Sequence, residues 1–204
     1  MKIIEKAKLS FKKNRISLNF FNTVEEFYLY INTLIKPYQT IGVGDSISLE
    51  DIGLYNYLRN SKVNFLDKYK ENRNKEDKRK IYIDNFSADI FFSGINALSA
   101  EGKIYNLDGN GSRVAPIIYG PKKVILVCGI NKLVDNEEAA LKRIKEIAAP
   151  LDAIRLNKKT PCVTAKTCLD CKSPEKICNY MTIIQGQFDP ERIEIIVINE
   201  NLGY

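Results

Sequence analysis

The run Lys123-Val-Ile-Leu-Val-Cys128 constrains the fold more than any other stretch of this chain. Its apolar residues are consecutive and rich in β-branched types, so both faces of the strand they form need cover, as inside a parallel sheet with a layer on each side. Strand-like and helix-like patterns alternate around it. Residues 2–13 suit a basic helix with Ile4, Ala7 and Phe11 on one side, and Ile16 to Phe20 alternates as a strand. Thr23 to Glu26 is a capping box for a helix carrying Val24, Phe27, Ile31, Leu34 and Ile35, which Pro37 stops. Thr40–Val43 and Val63–Leu66 read as short strands flanking a helix from Ser48 to Arg59, for which Ser48 and Asp51 are spaced as a second capping box. Ala88–Gly94, Lys103–Leu107 and Ile193–Ile198 read as further strands, and Glu137–Ala149 as a helix ended by Pro150. The alternation predicts an α/β fold: a mainly parallel sheet with helices on both faces. At 204 residues and 45% hydrophobic content, one domain spanning 1–204 is expected, with 160–180 as a Cys-rich insertion.

Composition removes several kinds of chemistry. The chain has no histidine, so neither a Ser-His-Asp nor a Cys-His hydrolase nor a His-containing zinc site can be built from it alone. Carboxylates, lysines and thiolates remain. The net charge of +6 comes from interspersed residues of both signs, so no nucleic-acid face is expected and an anionic partner should be small. No apolar run approaches the roughly 18 residues of a membrane span, and the N-terminus is charged throughout, which predicts a cytoplasmic protein. The mixed-charge stretch Lys68 to Lys80 reads as a solvated helix or loop.

Two loops are candidates for ligand contact. Asp108-Gly109-Asn110-Gly111, followed by Ser112 and Arg113, could aim backbone N–H groups and a guanidinium at a carboxylate or phosphate, with Ser112 capping a short helix over Pro116–Tyr119. The plainer reading is a tight turn. Gly42 and Gly44, with Ser46 and Glu50, sit where a strand meets a helix start, a place suited to anions in open α/β sheets. There Glu50 would handle protons and Arg113 would pair the anion; alternatively, Ser46 and Glu50 merely cap. Gly53 costs about 1 kcal/mol relative to alanine inside a helix, so a packing reason is expected.

The third feature is Cys162-x5-Cys168-x2-Cys171-x6-Cys178. Four thiols with one C-x-x-C pair suit tetrahedral zinc or an iron–sulfur cluster, though the outer spacings match neither standard pattern. Four reduced cysteines in a structured loop are the alternative. Cys128, in the apolar run, reads as core.

Taken together, Gly42-Val-Gly-Asp-Ser46 with Glu50 and Gly53, Ala88 to Asn96, Asn106-Leu-Asp-Gly-Asn-Gly-Ser-Arg113, Gly120-Pro-Lys-Lys-Val124, Ala149-Pro150, Thr160-Pro-Cys162 and Asn199 to Gly203 resemble the LUD domain of lactate-utilisation proteins. The resemblance spans nearly the whole chain, and is weakest in the first 20 residues and across 68–86. It implies a fold like that of sugar-phosphate isomerases and CoA transferases, a Rossmann-like sheet consistent with the alternation above. It also implies a part in oxidising lactate to pyruvate alongside iron–sulfur partner subunits. Gly42, Gly44, Ser46, Asn96 and Asp108 to Gly111 are the residues expected around a small anionic substrate. An accessory, assembly or electron-transfer protein is the other reading. Asp45 stands where the family commonly has glycine.

Overall fold

The computed structural model describes residues 2–204. Six strands, β1 (Ser17–Phe21), β2 (Thr40–Val43), β3 (Asn64–Phe65), β4 (Ile90–Gly94), β7 (Lys123–Gly129) and β10 (Ile193–Ile198), form a wholly parallel sheet in the order β1-β10-β7-β4-β2-β3. Side chains alternate across a strand, and β7 demonstrates the consequence. Val124, Leu126 and Cys128 enter one core with Phe91, Ile195 and Val197, whereas Ile125 and Val127 enter the other with Phe92, Ile196 and Ile198. Helix α1 (Ile3–Lys13) covers the first face through Ile4, Ala7 and Phe11. Helices α2 (Val24–Leu34), α3 (Ile47–Asp51) and α4 (Leu54–Arg59) cover the second through Phe27, Ile31, Leu49, Leu54 and Leu58. An α/β fold with helices flanking a parallel sheet is therefore what this chain adopts.

The chain also builds a second sheet, which the alternation did not predict. Strands β5 (Ala97–Ser99), β6 (Lys103–Asp108), β8 (Leu133–Val134) and β9 (Tyr180–Ile184) run in the order β8-β5-β6-β9, with β6 antiparallel to both neighbours. The expected strand at 103–107 belongs here. A parallel return needs a crossover of about a dozen residues, and the turn through Gly102, at φ +86°, is too short for anything but a reversal.

Helix boundaries differ at three further points. Gly53 takes φ +74° and splits the helix expected over 48–59 into α3 and α4; the reason for a glycine there is this left-handed backbone and not packing, since an added Cβ would meet only the Tyr28 hydroxyl, at 3.9 Å. The cap of α3 is Ser46, whose hydroxyl accepts from Leu49 N at 3.3 Å, and not Ser48, which is buried and donates to the Leu202 carbonyl. Pro150 does not end its helix. Helix α7 (Glu137–Arg143) continues through a π-helical turn, Ile144–Ala148, into α8 (Ala149–Arg155). The wider turn shifts the hydrogen-bond ladder just where proline has no N–H to give. The remaining helices are α5 (Lys75–Asp84), capped by a box of Asn74 and Asp77, α6 (Val114–Ile118) and α9 (Pro161–Ala165). Among the described residues, no helix is long and apolar enough to cross a membrane.

Candidate functional site

The carboxyl ends of β2, β4 and β7 share one edge of the parallel sheet, where open α/β folds leave a crevice. A cavity of about 470 Å³ lies there. Its floor comes from Asp45, Ser46, Gly94, Ile95 and Asn96, and one wall from Leu107 to Asn110, Ser112 and Arg113. Lys68 and Tyr82 form another side, and Asp152, Arg155, Lys158, Pro174 to Ile177, Lys132 and Tyr204 complete it. Six cations face four carboxylates around it, so its field favours an anion unless its charges are already matched.

Most are matched. The Asp108 carboxylate accepts from the backbone N–H groups of Asn110, Gly111, Arg113 and Val114 at 3.1–3.2 Å. The N–H groups that could have cradled a ligand therefore converge on the loop's own carboxylate. These bonds also satisfy the start of α6, which Ser112 does not cap. Arg113, whose side chain is 11% exposed, lies 3.6 Å from Asp108 through Nε. Its Nη1 donates to the Gly94 carbonyl and Asn106 Oδ1, and its Nη2 to Asn96 Oδ1 and the Leu107 carbonyl, at 2.8–3.1 Å. The guanidinium is thus fully occupied in tying β4, the Asn96 turn and β6 together, and an anion could reach its fork only by displacing those acceptors. Asn110 Oδ1 accepts from Ser112 N, and Gly109 leaves room for the Ile177 backbone, which an added Cβ would approach at 3.2 Å.

Two further expected ligand residues act beneath the cavity. Gly44 does not line it; a Cβ there would meet Ser93 Oγ at 2.7 Å and Arg113 Cγ at 2.9 Å, so this glycine makes room for the clamp. Gly42 is farther away, packed under Asn85 and Phe91 within the sheet. Glu50 is exposed on the first turn of α3 and does not line the cavity, so the structure does not bring it to Arg113. Ser46, Asn96 and Asp108 to Asn110 do come together.

What sequence reasoning missed is the lysines. Lys68 is only 5% exposed, and its ammonium lies 5.0 Å from the Tyr69 ring centre and 5.6 Å from that of Tyr82. These are cation–π contacts, and among the described residues the ammonium has no hydrogen-bonded anion beside them. Burial lowers its proton affinity, against the pull of Asp45. Lys132 is also buried, donating to Ser48 Oγ at 2.9 Å and the Ile95 carbonyl at 3.1 Å; burial brings its pKa down to about 8. Asp45 accepts from Tyr69 OH at 2.7 Å and approaches Arg155 at 3.5 Å. Burial alone would raise its pKa, but Lys68, Tyr69, Arg155 and Arg113 together hold it below the ordinary value. Arg155 is itself paired to Asp152 at 2.7 Å.

The cysteines lie behind this wall. Cys128 is core, as expected. Cys162, Cys168, Cys171 and Cys178 are free and half-buried, and line one small void of about 20 Å³. Among the described residues, no three Cys, Asp or Glu side chains stand close enough to grip a single ion as they are.

Comparison with known proteins fits this architecture. No curated protein matches the chain in sequence. Among solved structures, a DUF162 family protein from Deinococcus radiodurans has a TM-score of 0.56 at 12% identity, covering 97% of this chain and 96% of that one, a likeness of fold alone. eIF2B beta from Chaetomium thermophilum aligns at a TM-score of 0.38 and 13% identity over 57% of this chain and 44% of that one, too little to argue from. The model of the LUD domain matches residues 4–198. With that span covered and the strand-end blocks in place, this chain belongs to the LUD domain family.

Proposed function

We propose that the cavity binds a small carboxylate, and that the chain serves lactate oxidation or related carboxylate metabolism, the role that the family resemblance implies. The observation that carries the reading is Lys68. Its side chain is almost wholly buried and its ammonium has no acceptor among the described residues, at a cavity whose arginines are already paired and whose other buried lysine, Lys132, already donates to Ser48 and the Ile95 carbonyl. An unpaired buried charge is costly, and a bound carboxylate would relieve it. Lys132, with a pKa near 8, is the group placed to exchange a proton close to neutrality. Converting lactate to pyruvate releases two protons and two electrons, and the electrons would pass to the iron–sulfur partner subunits that the resemblance implies.

The same geometry favours one other reading. Because Arg113 and Asp108 are consumed in holding the loop, the site resembles a binding pocket more than an assembled catalytic centre, and a non-catalytic accessory protein that senses or carries the anion fits it equally. Thermal-shift titration with lactate, pyruvate, inorganic phosphate and a CoA ester tests both. A carboxylate should stabilise the protein and lose that effect in Lys68→Met; turnover with an artificial electron acceptor then separates enzyme from accessory protein. If neither lactate nor pyruvate moves the transition, the carboxylate reading fails.

A further inference from the structure

Among the described residues, 166–179 form neither helix nor strand, although this stretch enters β9 and abuts the cavity wall. Lys166 and Asp170 adopt positive φ, at 55° and 46°, a conformation non-glycine residues avoid unless something enforces it. The ties that hold it are few. Cys168 N donates to the Lys145 carbonyl at 2.9 Å, Lys145 reaches Asp170 at 3.0 Å in an exposed pair, Glu175 accepts from Lys159 N at 2.8 Å, and Asn179 donates through N and Nδ2 to the Asp108 and Gly109 carbonyls at 2.9 Å. Leu169 is 57% exposed, so apolar burial contributes little there.

Against that sparse bonding, all four cysteines of the stretch and of α9 reach the same void. They start from different places: Cys162 on a helix, Cys168 and Cys171 on the irregular chain, and Cys178 two residues before β9. Convergence of four thiols from three segments is more than a lone cysteine or a local turn would produce. Short irregular segments of this kind are held by disulfides or by a metal, and all four thiols here are unpaired. Four thiols without a histidine select soft, thiophilic metals, and the one carboxylate beside them, Asp170 at 3.7 Å from Cys168 Sγ, is paired with Lys145.

We propose that Cys162, Cys168, Cys171 and Cys178 are the four ligands of a thiolate metal site, zinc or the iron of an iron–sulfur cluster, that staples residues 162–178. On binding, each thiol gives its proton to solvent and its sulfur forms one metal bond. The present spread of the sulfurs, too open to grip one ion, has a direct consequence: loading either draws the stretch inward around zinc or fills the gap with a cluster. Lys176 and Ile177 line both this void and the anion cavity, so loading also fixes one wall of that cavity. This last coupling rests on the anion-site reading; the metal site does not.

The experiment uses the full chain purified without oxygen. Metal, acid-labile sulfide and visible absorption are measured, then thiols reactive toward a chromogenic disulfide are counted before and after removing the metal. Colourless protein with about one zinc per chain identifies zinc; a brown protein with iron and matching sulfide identifies a cluster. In either case four thiols should become reactive on stripping, and Cys171→Ser should lower metal content and open 162–178 to protease. Should that variant fail to fold, cobalt(II) titration of the stripped wild-type protein supplies the second reading, since thiolate-to-cobalt charge transfer should saturate at one equivalent. Metal-free protein whose four thiols react freely and which gives no saturating cobalt band overturns the proposal, as do two disulfides in the anaerobic protein. If metal binds yet lactate or pyruvate binding is the same with and without it, only the coupling falls.

Discussion

The Asp108–Arg113 loop and the Lys68 side face one another across one cavity and handle charge in opposite ways. The loop is closed on itself: one carboxylate takes four backbone N–H groups, and one guanidinium takes four acceptors. The Lys68 side is open, with an ammonium resting on two tyrosine rings. The difference teaches that a charged residue in a cavity is a ligand candidate only to the extent that the protein has left its hydrogen bonds unmade. Saturated charge builds the frame; unsaturated charge is what a ligand can use.

The widest separation between the two sides should come from breaking the frame. Asp108→Ala strands four N–H groups and leaves Arg113 without its carboxylate. Removing one partner of a buried pair costs roughly 3–5 kcal/mol. Urea denaturation should register a loss of that order, and Arg113→Met a similar one. A loss below about 0.5 kcal/mol for either, within the range of ordinary surface substitutions, would mean the loop is not held by this network.

Lys68→Met should do the reverse. Methionine keeps the apolar stem against Tyr69 and Tyr82 and removes a buried ammonium that has no hydrogen-bonded partner, so stability should stay level or rise. Carboxylate affinity, read by titration calorimetry, should fall about 10- to 100-fold, the equivalent of a lost charged hydrogen bond. Equal affinity in the variant would move the binding role to another cation of the cavity.

The frame was the more legible half in sequence, and for physical reasons. An Asp-Gly-Asn-Gly turn declares its backbone needs through residue type, and a strand apolar on both faces, such as β7, declares that it is covered twice. Lys68 declares nothing. It opens a mixed-charge run whose later members, Glu71 and Lys78 among them, are exposed as expected; only the tertiary position of Tyr82 on α5 encloses it. Strand β9 was hidden because it is half-exposed and follows an irregular stretch, so neither period nor flanking turns mark it. Pro150 misled because its π-helical turn leaves no signature in residue type. Glycines 42, 44 and 109 are expected at ligand contacts, but what approaches them is Asn85, Arg113 and Ile177, so the room they leave is used for packing.

Lys132 sharpens the contrast through pH. Its folded pKa, about 8, lies below the ordinary 10.5 because burial disfavours the charged form. Below pH 8 folded and unfolded chains both hold the proton. Between about 8 and 10.5 the unfolded chain holds more of it, so this lysine's contribution to stability rises with pH, by up to about 1.4 kcal/mol per unit. The stability difference between wild type and Lys132→Met should therefore climb across that window and stay flat at pH 6–7.5. A difference flat throughout would mean that water or a counterion reaches Lys132 and restores its ordinary proton affinity.

The smallest effect should come from Glu50→Gln. Glu50 lies close in sequence to the cavity floor, three residues from Ile47, which lines the cavity, yet its own side chain is exposed and outside it. Neutralising an exposed surface carboxylate should change stability by no more than about 0.5 kcal/mol. Its effect on carboxylate affinity should be equally slight, and in the favourable direction, since one negative charge is removed from the approach to an anion site. The sign makes the experiment decisive despite its size. A marked loss of affinity or turnover in Glu50→Gln would place the working groups on α3, and the separation between a saturated frame and an open lysine would then describe packing alone.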